Sequence, residues 1–298
     1  MRDPEIAALC AKLAGRERPS DVALMRRDFD MLAQLYPTPR DVTIEPVTAN
    51  GVTAEWTATP DARDDTAILY VHGGGYVVGS LLSHRHVVAE IGRAAHARTL
   101  ALHYRLAPEH QFPAPVEDTL AAYRFLLERG TRPGRIAIAG DSAGGGLTVA
   151  AMVAIRDAGL PQPACGWAIS PWVDMEAVGE SIAGNAARDP TVTEAILVEM
   201  AGRYLGGADP RAPLAAPLYA DLAGIAPLLI QVGSVEILLD DAIRLARVAA
   251  MADVAVDLQI WPEMIHVWHL FHPELKAGRR AIAAGGAFIR SAMAGGAH

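Results

Sequence analysis

Cysteine is almost absent from this chain, with Cys10 and Cys165 its only two among 298 residues. They lie far apart and outside any CxxC or Cys/His ligand spacing, so neither a disulfide framework nor a zinc site is indicated and both read as buried thiols. Lysine is equally scarce, limited to Lys12 and Lys276, and arginine supplies nearly all of the 26 basic side chains. Basic charge is not in excess either. The 34 acidic residues leave a formal net charge of −8, which offers no broad footprint for nucleic acid or acidic lipid. Long apolar runs are missing as well. A secretory signal needs roughly 7 to 15 apolar residues behind a basic start, and Arg2, Asp3, Glu5 and Lys12 break up that stretch here. The uncharged segment at residues 142–155 is full of Gly and Ala and falls well short of the roughly 20 apolar residues of a membrane span. These absences lead to the expectation of a soluble, cytoplasmic protein. What is present is an ordinary globular mixture, 51% hydrophobic and 20% charged with 27 Gly and 20 Pro, able to bury a large core.

Apolar residues at helical spacing mark residues 6–13 and 22–35, separated by a breaker segment around Pro19. After Pro37 and Pro39 the pattern becomes period two, and residues 42–44 and 52–56 flank Asn50-Gly51, a strong hairpin signal. From there, short apolar runs at 67–71, 99–103, 136–139, 166–170, 228–232 and 256–261 read as buried parallel strands. Helical patterns at 87–97, 116–129, 145–157, 241–251 and about 275–293 separate them. Such alternation predicts the α/β class, with a doubly wound, mostly parallel sheet. Residues 175–216 exceed an ordinary crossover and carry helical patterns around Ile182 and at 196–204. Together with an N-terminal helical arm, residues 1–40, they are expected to form a cap over a core of residues 41–174 and 217–298.

Chemistry-bearing residues concentrate in four places. Gly140-Asp141-Ser142-Ala143-Gly144 sits where a strand meets a helix, the context of a G-x-S-x-G nucleophile elbow. That turn holds its serine outward, and side chains two residues to either side would obstruct it. His72-Gly73-Gly74-Gly75 follows the strand at 67–71. Acyl transfer needs backbone N–H donors aimed at a developing oxyanion, and Gly74, Gly75 and Ala143 are the candidates. A flexible loop or phosphate cradle is the competing reading, although no P-loop lysine follows. Glu236 and His266 lie just past the strands at 228–232 and 256–261, on the sheet edge that faces a binding crevice. A lone acid or histidine is as often a surface or core group. The order Ser142, Glu236, His266 is the Ser, acid, His order of α/β-hydrolases.

These motifs, with Tyr104-Arg105-Leu106-Ala107-Pro108-Glu109-His110, Phe112-Pro113-Ala114-Pro115 and Asp118, resemble the hormone-sensitive-lipase-like family of bacterial esterases from about residue 40 to the end. The resemblance implies an α/β-hydrolase fold with a helical cap and hydrolysis of short to medium acyl esters without a cofactor. Two departures stand out. The family usually has Asp where Glu236 stands and Gly where Glu263 stands. The wording around both is similar to a branch of acetyl hydrolases and monoterpene lactone hydrolases, which adds lactones as an alternative substrate. Glutamate can still orient an imidazole, so the implied mechanism is attack by Ser142, with His266 as base and Glu236 holding its ring.

Tyr76 and Trp172 are candidate pocket residues, with core packing as the other reading for Trp172. Arg105, Glu109 and Asp118 read as an ion-pair network bracing the loop beside the site. A metal hydrolase built on His266, His269 and His272 is a rival, weakened because Phe271-His272-Pro273 breaks a helix there. A non-catalytic small-molecule binding protein is another, since gibberellin receptors resemble this family but lack the histidine that His266 supplies. The expected partner is a small ester or lactone. Edge-to-edge pairing of the last strand would give a homodimer.

Overall fold

Asn50 and Gly51 adopt φ of +48° and +93°, and the chain reverses there as an Asn-Gly pair favours. The turn joins β1 (Thr43–Ala49) to β2 (Val52–Ala58) in antiparallel register. The remaining strands are β3 (Arg63–Val71), β4 (Ala97–Leu102), β5 (Ile136–Asp141), β6 (Cys165–Ile169), β7 (Leu228–Gly233) and β8 (Val256–Trp261). They form one sheet in the order β1-β2-β4-β3-β5-β6-β7-β8. β2 meets β4 antiparallel, and β4 through β8 are parallel. This is the expected doubly wound architecture. The computed structural model describes residues 3–15 and 19–295. The outermost ends of the expected arm and core, residues 1–2 and 296–298, lie outside the described residues, as do 16–18 within the arm.

Successive residues of β3 feed opposite layers, as strand geometry requires. Leu69 and Val71 enter one buried cluster with Leu100, Leu102 and Ile138, and Ile68 and Tyr70 enter another with Val87, Ile91 and Trp167. β3 begins four residues before its apolar run because Arg63, Asp64 and Asp65 are exposed there, and an exposed polar start carries no hydrophobic signal.

The helices are α1 (Pro4–Leu13), α2 (Val22–Asp30), α3 (Leu32–Leu35), α4 (Leu81–Ala95), α5 (Ala114–Glu128), α6 (Ala143–Asp157), α7 (Glu180–Gly184), α8 (Glu194–Leu205), α9 (Leu239–Met251) and α10 (Lys276–Gly295). None among the described residues is long and apolar enough to cross a membrane. α4 starts six residues earlier than its apolar spacing suggests. A reciprocal capping box between Ser80 and Ser83 opens it, and His84 and His86 are buried in its first turns.

Within the arm, α1 and α2 pack against different buried layers. Ile6 and Leu9 of α1 are buried in the layer that holds Tyr36, Phe271 and Leu275, and Glu5 and Lys12 pair with Lys276 and Glu274. α1 is therefore tied to the start of α10. α2 packs Val22, Met25 and Phe29 against the opposite layer, where Arg203 of α8 reaches Ser20 O at 3.4 Å. The arm thus meets residues 175–216 at Ser20, just before α2, while Arg26 and Phe29 of α2 reach Val77, Ala107 and His84. The division follows from where each helix has apolar residues to bury.

Candidate active site

The four segments singled out in the sequence meet at the carboxyl ends of the parallel strands. β5 ends at Asp141 and α6 begins at Ala143, so Ser142 alone makes the turn. Its φ of +54° and ψ of −119° are costly for an L side chain, and neighbouring backbone holds it there. Ser142 N donates to Ile169 O at 2.8 Å, while Ser142 O accepts from Trp172 N at 3.0 Å and Gly146 N at 3.1 Å. A Cβ on Gly144 would stand 2.0 Å from Val71 O, and one on Gly140 2.4 Å from the same oxygen. The flanking glycines are thus a steric condition for the turn.

The loop after β3 carries Gly74 at φ +112° and Gly75 at φ +61°. Asp141 ties this loop to the elbow. Its buried Oδ1 accepts from the Tyr70 hydroxyl at 2.6 Å and from Gly73 N at 3.1 Å, and His84 Nε2 lies 3.5 Å from Oδ2. Burial alone would raise the Asp141 carboxyl, but the His84 imidazole and the Tyr70 hydroxyl outweigh it and hold the group at about 2. The carboxylate is therefore permanent. His72 is the reverse case, because burial drives its imidazole down to about 3 and leaves it neutral. It donates through Nδ1 to Gly73 O at 2.8 Å and accepts at its own carbonyl from Tyr104 at 2.7 Å. His72, Gly73 and Asp141 shape the loop that Gly74 and Gly75 occupy.

Glu236 and His266 meet as their order in the sequence suggests. Glu236 is 0% exposed, and its Oε2 lies 2.8 Å from His266 Nδ1. A carboxylate can only accept, so Nδ1 carries the proton and Nε2 keeps its lone pair. Oε1 accepts from Ser170 Oγ at 2.7 Å and Gly233 N at 2.6 Å. Burial would depress His266, yet the Glu236 carboxylate overcomes it and raises the imidazole above its ordinary value. The His266 side chain is 10% exposed, which leaves the base accessible while the acid is sealed. Asp240 and Asp241 open α9 and serve other partners. Asp240 accepts from Ser181 N at 2.8 Å, and Asp241 accepts from Val173 N and Asp174 N at 2.9 and 3.1 Å.

Several placements depart from sequence expectation. Tyr76 and Trp172 are each 1% exposed, so they form no open pocket wall. Tyr76 stacks on Tyr204 of α8 with ring centroids 3.8 Å apart and leans on Trp172 at 6.1 Å. Large aromatics beneath an elbow are more stably buried than wetted. Glu109 does not join Arg105. It pairs with Arg26 of α2, whose Nε also donates to Val77 O at 2.9 Å, while Arg105 holds Asp118 and Glu117. His269 binds Gln231 at 2.8 Å and His272 stacks on His86, so each has a partner other than His266. Apolar spacing also missed a polar stripe on the inserted segment. Ser181, Asn185 and Asp189, four residues apart, grip the backbone around the acid through Ile237 O, Glu236 O and Ile237 N at 2.6, 2.8 and 3.0 Å. Met200 of α8 faces Gly75, where a Cβ would come within 2.8 Å of its Cγ.

The profile of a family described as the alpha/beta hydrolase fold matches residues 68–270. An acetyl-hydrolase of Streptomyces hygroscopicus is 51% identical over 278 residues, covering 93% of this chain and 91% of that one. A solved esterase of the bacterial hormone-sensitive lipase family superposes with a TM-score of 0.96 at 50% identity, covering 98% of this chain and 99% of the other. The chain belongs to the hormone-sensitive-lipase family of α/β-hydrolases. An esterase of Acinetobacter venetianus is 31% identical over 260 residues, 87% of this chain and 86% of that one. Glu263 stands at φ +64°, a backbone conformation that glycine adopts free of strain. Its carboxylate accepts from Asp3 N at 3.1 Å and its N–H donates to Ser234 Oγ at 2.9 Å.

Proposed function

We propose that this esterase hydrolyses short to medium acyl esters through a Ser142-Glu236-His266 triad and a covalent acyl-enzyme. The observation that carries the reading is the 2.8 Å contact between His266 Nδ1 and a buried carboxylate, which presents Nε2 as the base on the same sheet edge as the strained Ser142. Ser142 Oγ attacks the acyl carbon as its proton passes to Nε2. Backbone N–H groups of Gly74, Gly75 and Ala143 receive the oxyanion. The imidazolium, steadied by Glu236, then returns the proton to the leaving alcohol. Water repeats the sequence on the acyl-enzyme.

Met200 over Gly75 and the acetyl-hydrolase relative support a small acyl group. Lactones pass through the same tetrahedral intermediate and belong to the same test. Acetyl to hexanoyl aryl esters are expected to outrun those of twelve carbons or more, and a long-chain preference would remove the acyl-length reading. Ser142→Ala is expected to lose activity by on the order of a million-fold while remaining folded. A covalent serine reagent should label only the wild type, and normal labelling of the alanine variant would place the nucleophile elsewhere. We also propose a homodimer through β8, the edge strand of the sheet.

A further inference from the structure

Ser170 follows β6 at φ +45° and is completely buried. Nothing in its own strand requires a hydroxyl there, and the left-handed conformation disfavours any residue with a side chain. Its hydrogen bonds explain its presence. Ser170 N donates to Gln231 O of β7 at 2.7 Å, which ties the end of β6 to the strand that leads into the acid's loop. Ser170 Oγ donates to Glu236 Oε1 at 2.7 Å and accepts from Val267 N at 3.1 Å. One hydroxyl therefore holds the acid's carboxylate and the residue next to His266, and uses both its donor and an acceptor site in doing so.

We infer that Ser170 is a positioning residue of the triad, setting the Glu236 carboxylate and the His266 loop in a fixed relation. The inference rests on the triad reading above. A glutamate has one more rotatable bond than an aspartate, and a carboxylate that is free to turn would spread over orientations in which Oε2 does not face Nδ1. Two donors on Oε1, Ser170 Oγ and Gly233 N, remove that freedom. Charge-assisted hydrogen bonds of this kind are the strong ones. The Ser170 donor also favours the ionised form of a carboxyl that burial pushes the other way. Asp189 from the inserted segment and Asp141 beneath the elbow also act on His266, and the neutral, buried His269 lies within its electrostatic reach.

The test compares Ser170→Ala and Ser170→Gly, the glycine variant relieving the positive φ while removing the same hydroxyl. Each is measured alone and in a Glu236→Gln background, with kcat and KM followed against pH and thermal unfolding recorded in parallel. Both variants are expected to lower kcat by about ten- to a hundred-fold, with KM within about threefold. The acid limb of kcat/KM should move to higher pH, because a carboxylate deprived of a donor binds its shared proton more tightly. In the Glu236→Gln background the same substitutions should change kcat by less than about threefold, since coupled groups are not additive. Unchanged kcat and acid limb in a folded Ser170→Gly protein would overturn the inference. So would an equal loss in the two backgrounds, the signature of a purely structural role. If Glu236→Gln by itself stays fully active, the triad reading fails and this inference falls with it. A crippled Glu236→Gln beside a normal Ser170→Gly leaves the triad standing and removes only the role of Ser170.

Discussion

Glu236 and Asp241 are both fully buried carboxyls near the start of α9, and their partners separate their roles. Glu236 faces an imidazole and Asp241 faces two backbone N–H groups. Replacing Glu236 by Gln keeps the shape but removes the charge that steadies the imidazolium, and the rate should fall roughly a thousand- to ten-thousand-fold. The pH profile gives a second readout. His266 is raised by Glu236 in the wild type, so activity is lost as pH falls through a midpoint above the ordinary imidazole value of about 6.5. In the Gln variant burial is opposed only by the weaker pull of Asp189 and Asp141, and that limb should move to lower pH. A limb that moves upward would contradict the pairing. For Asp241, burial pushes the carboxyl up to about 7, so an amide that keeps the accepting oxygen is a close replacement. Asp240→Asn and Asp241→Asn should both stay within about tenfold of wild-type kcat, and a loss as large as that of Ser142→Ala would reassign the acid.

At the scale of elements, the turn after β8 carries a cost that one substitution tests. Glu263 sits in left-handed backbone, which costs a residue with a Cβ about 1–2 kcal/mol, whereas glycine gives back about 0.5–1 kcal/mol through unfolded-chain entropy. Glu263→Gly is therefore expected to raise Tm in thermal unfolding, and a fall would mean that the contact of Glu263 with Asp3 N outweighs the strain. Elements with an apolar run or a turn signal of their own are legible in the sequence. β8 was located at its observed bounds, Val256–Trp261, and the Asn50-Gly51 hairpin at its observed turn. α4 starts before its apolar spacing because its first turns bury two histidines and start from a serine cap, and neither adds to an apolar pattern. The polar stripe Ser181, Asn185, Asp189 was illegible for a related reason. Its partners are backbone groups of residues 236 and 237, some 50 positions away, so no local property of the segment reveals it.

On the scale of the whole molecule, the sheet has two edges. β1 ends one side of the sheet and β8 the other, and β8 has no buried position, with Asp257 and Ile260 exposed, Ile260 by 44%. An exposed edge strand presents unpaired N–H and C=O groups to a second copy. Light scattering should report twice the chain mass, and a charged substitution at Ile260 should lower it. A monomer at all working concentrations would remove the dimer. Taken by itself, the sequence determined the α/β alternation, the elbow, the glycine loop and the order of serine, acid and histidine. These rest on short-range demands, strand hydrophobicity and the lack of room for a side chain, that are written in neighbouring residues. Tertiary structure alone decided the rest. It sent α1 to the start of α10 and Phe29 of α2 onto His84, buried Tyr76 and Trp172, moved Glu109 to Arg26, and brought Ser170 between acid and base. Each of those outcomes depends on which distant surface or backbone group satisfies a side chain. Chain proximity in space, not spacing in sequence, selects that partner.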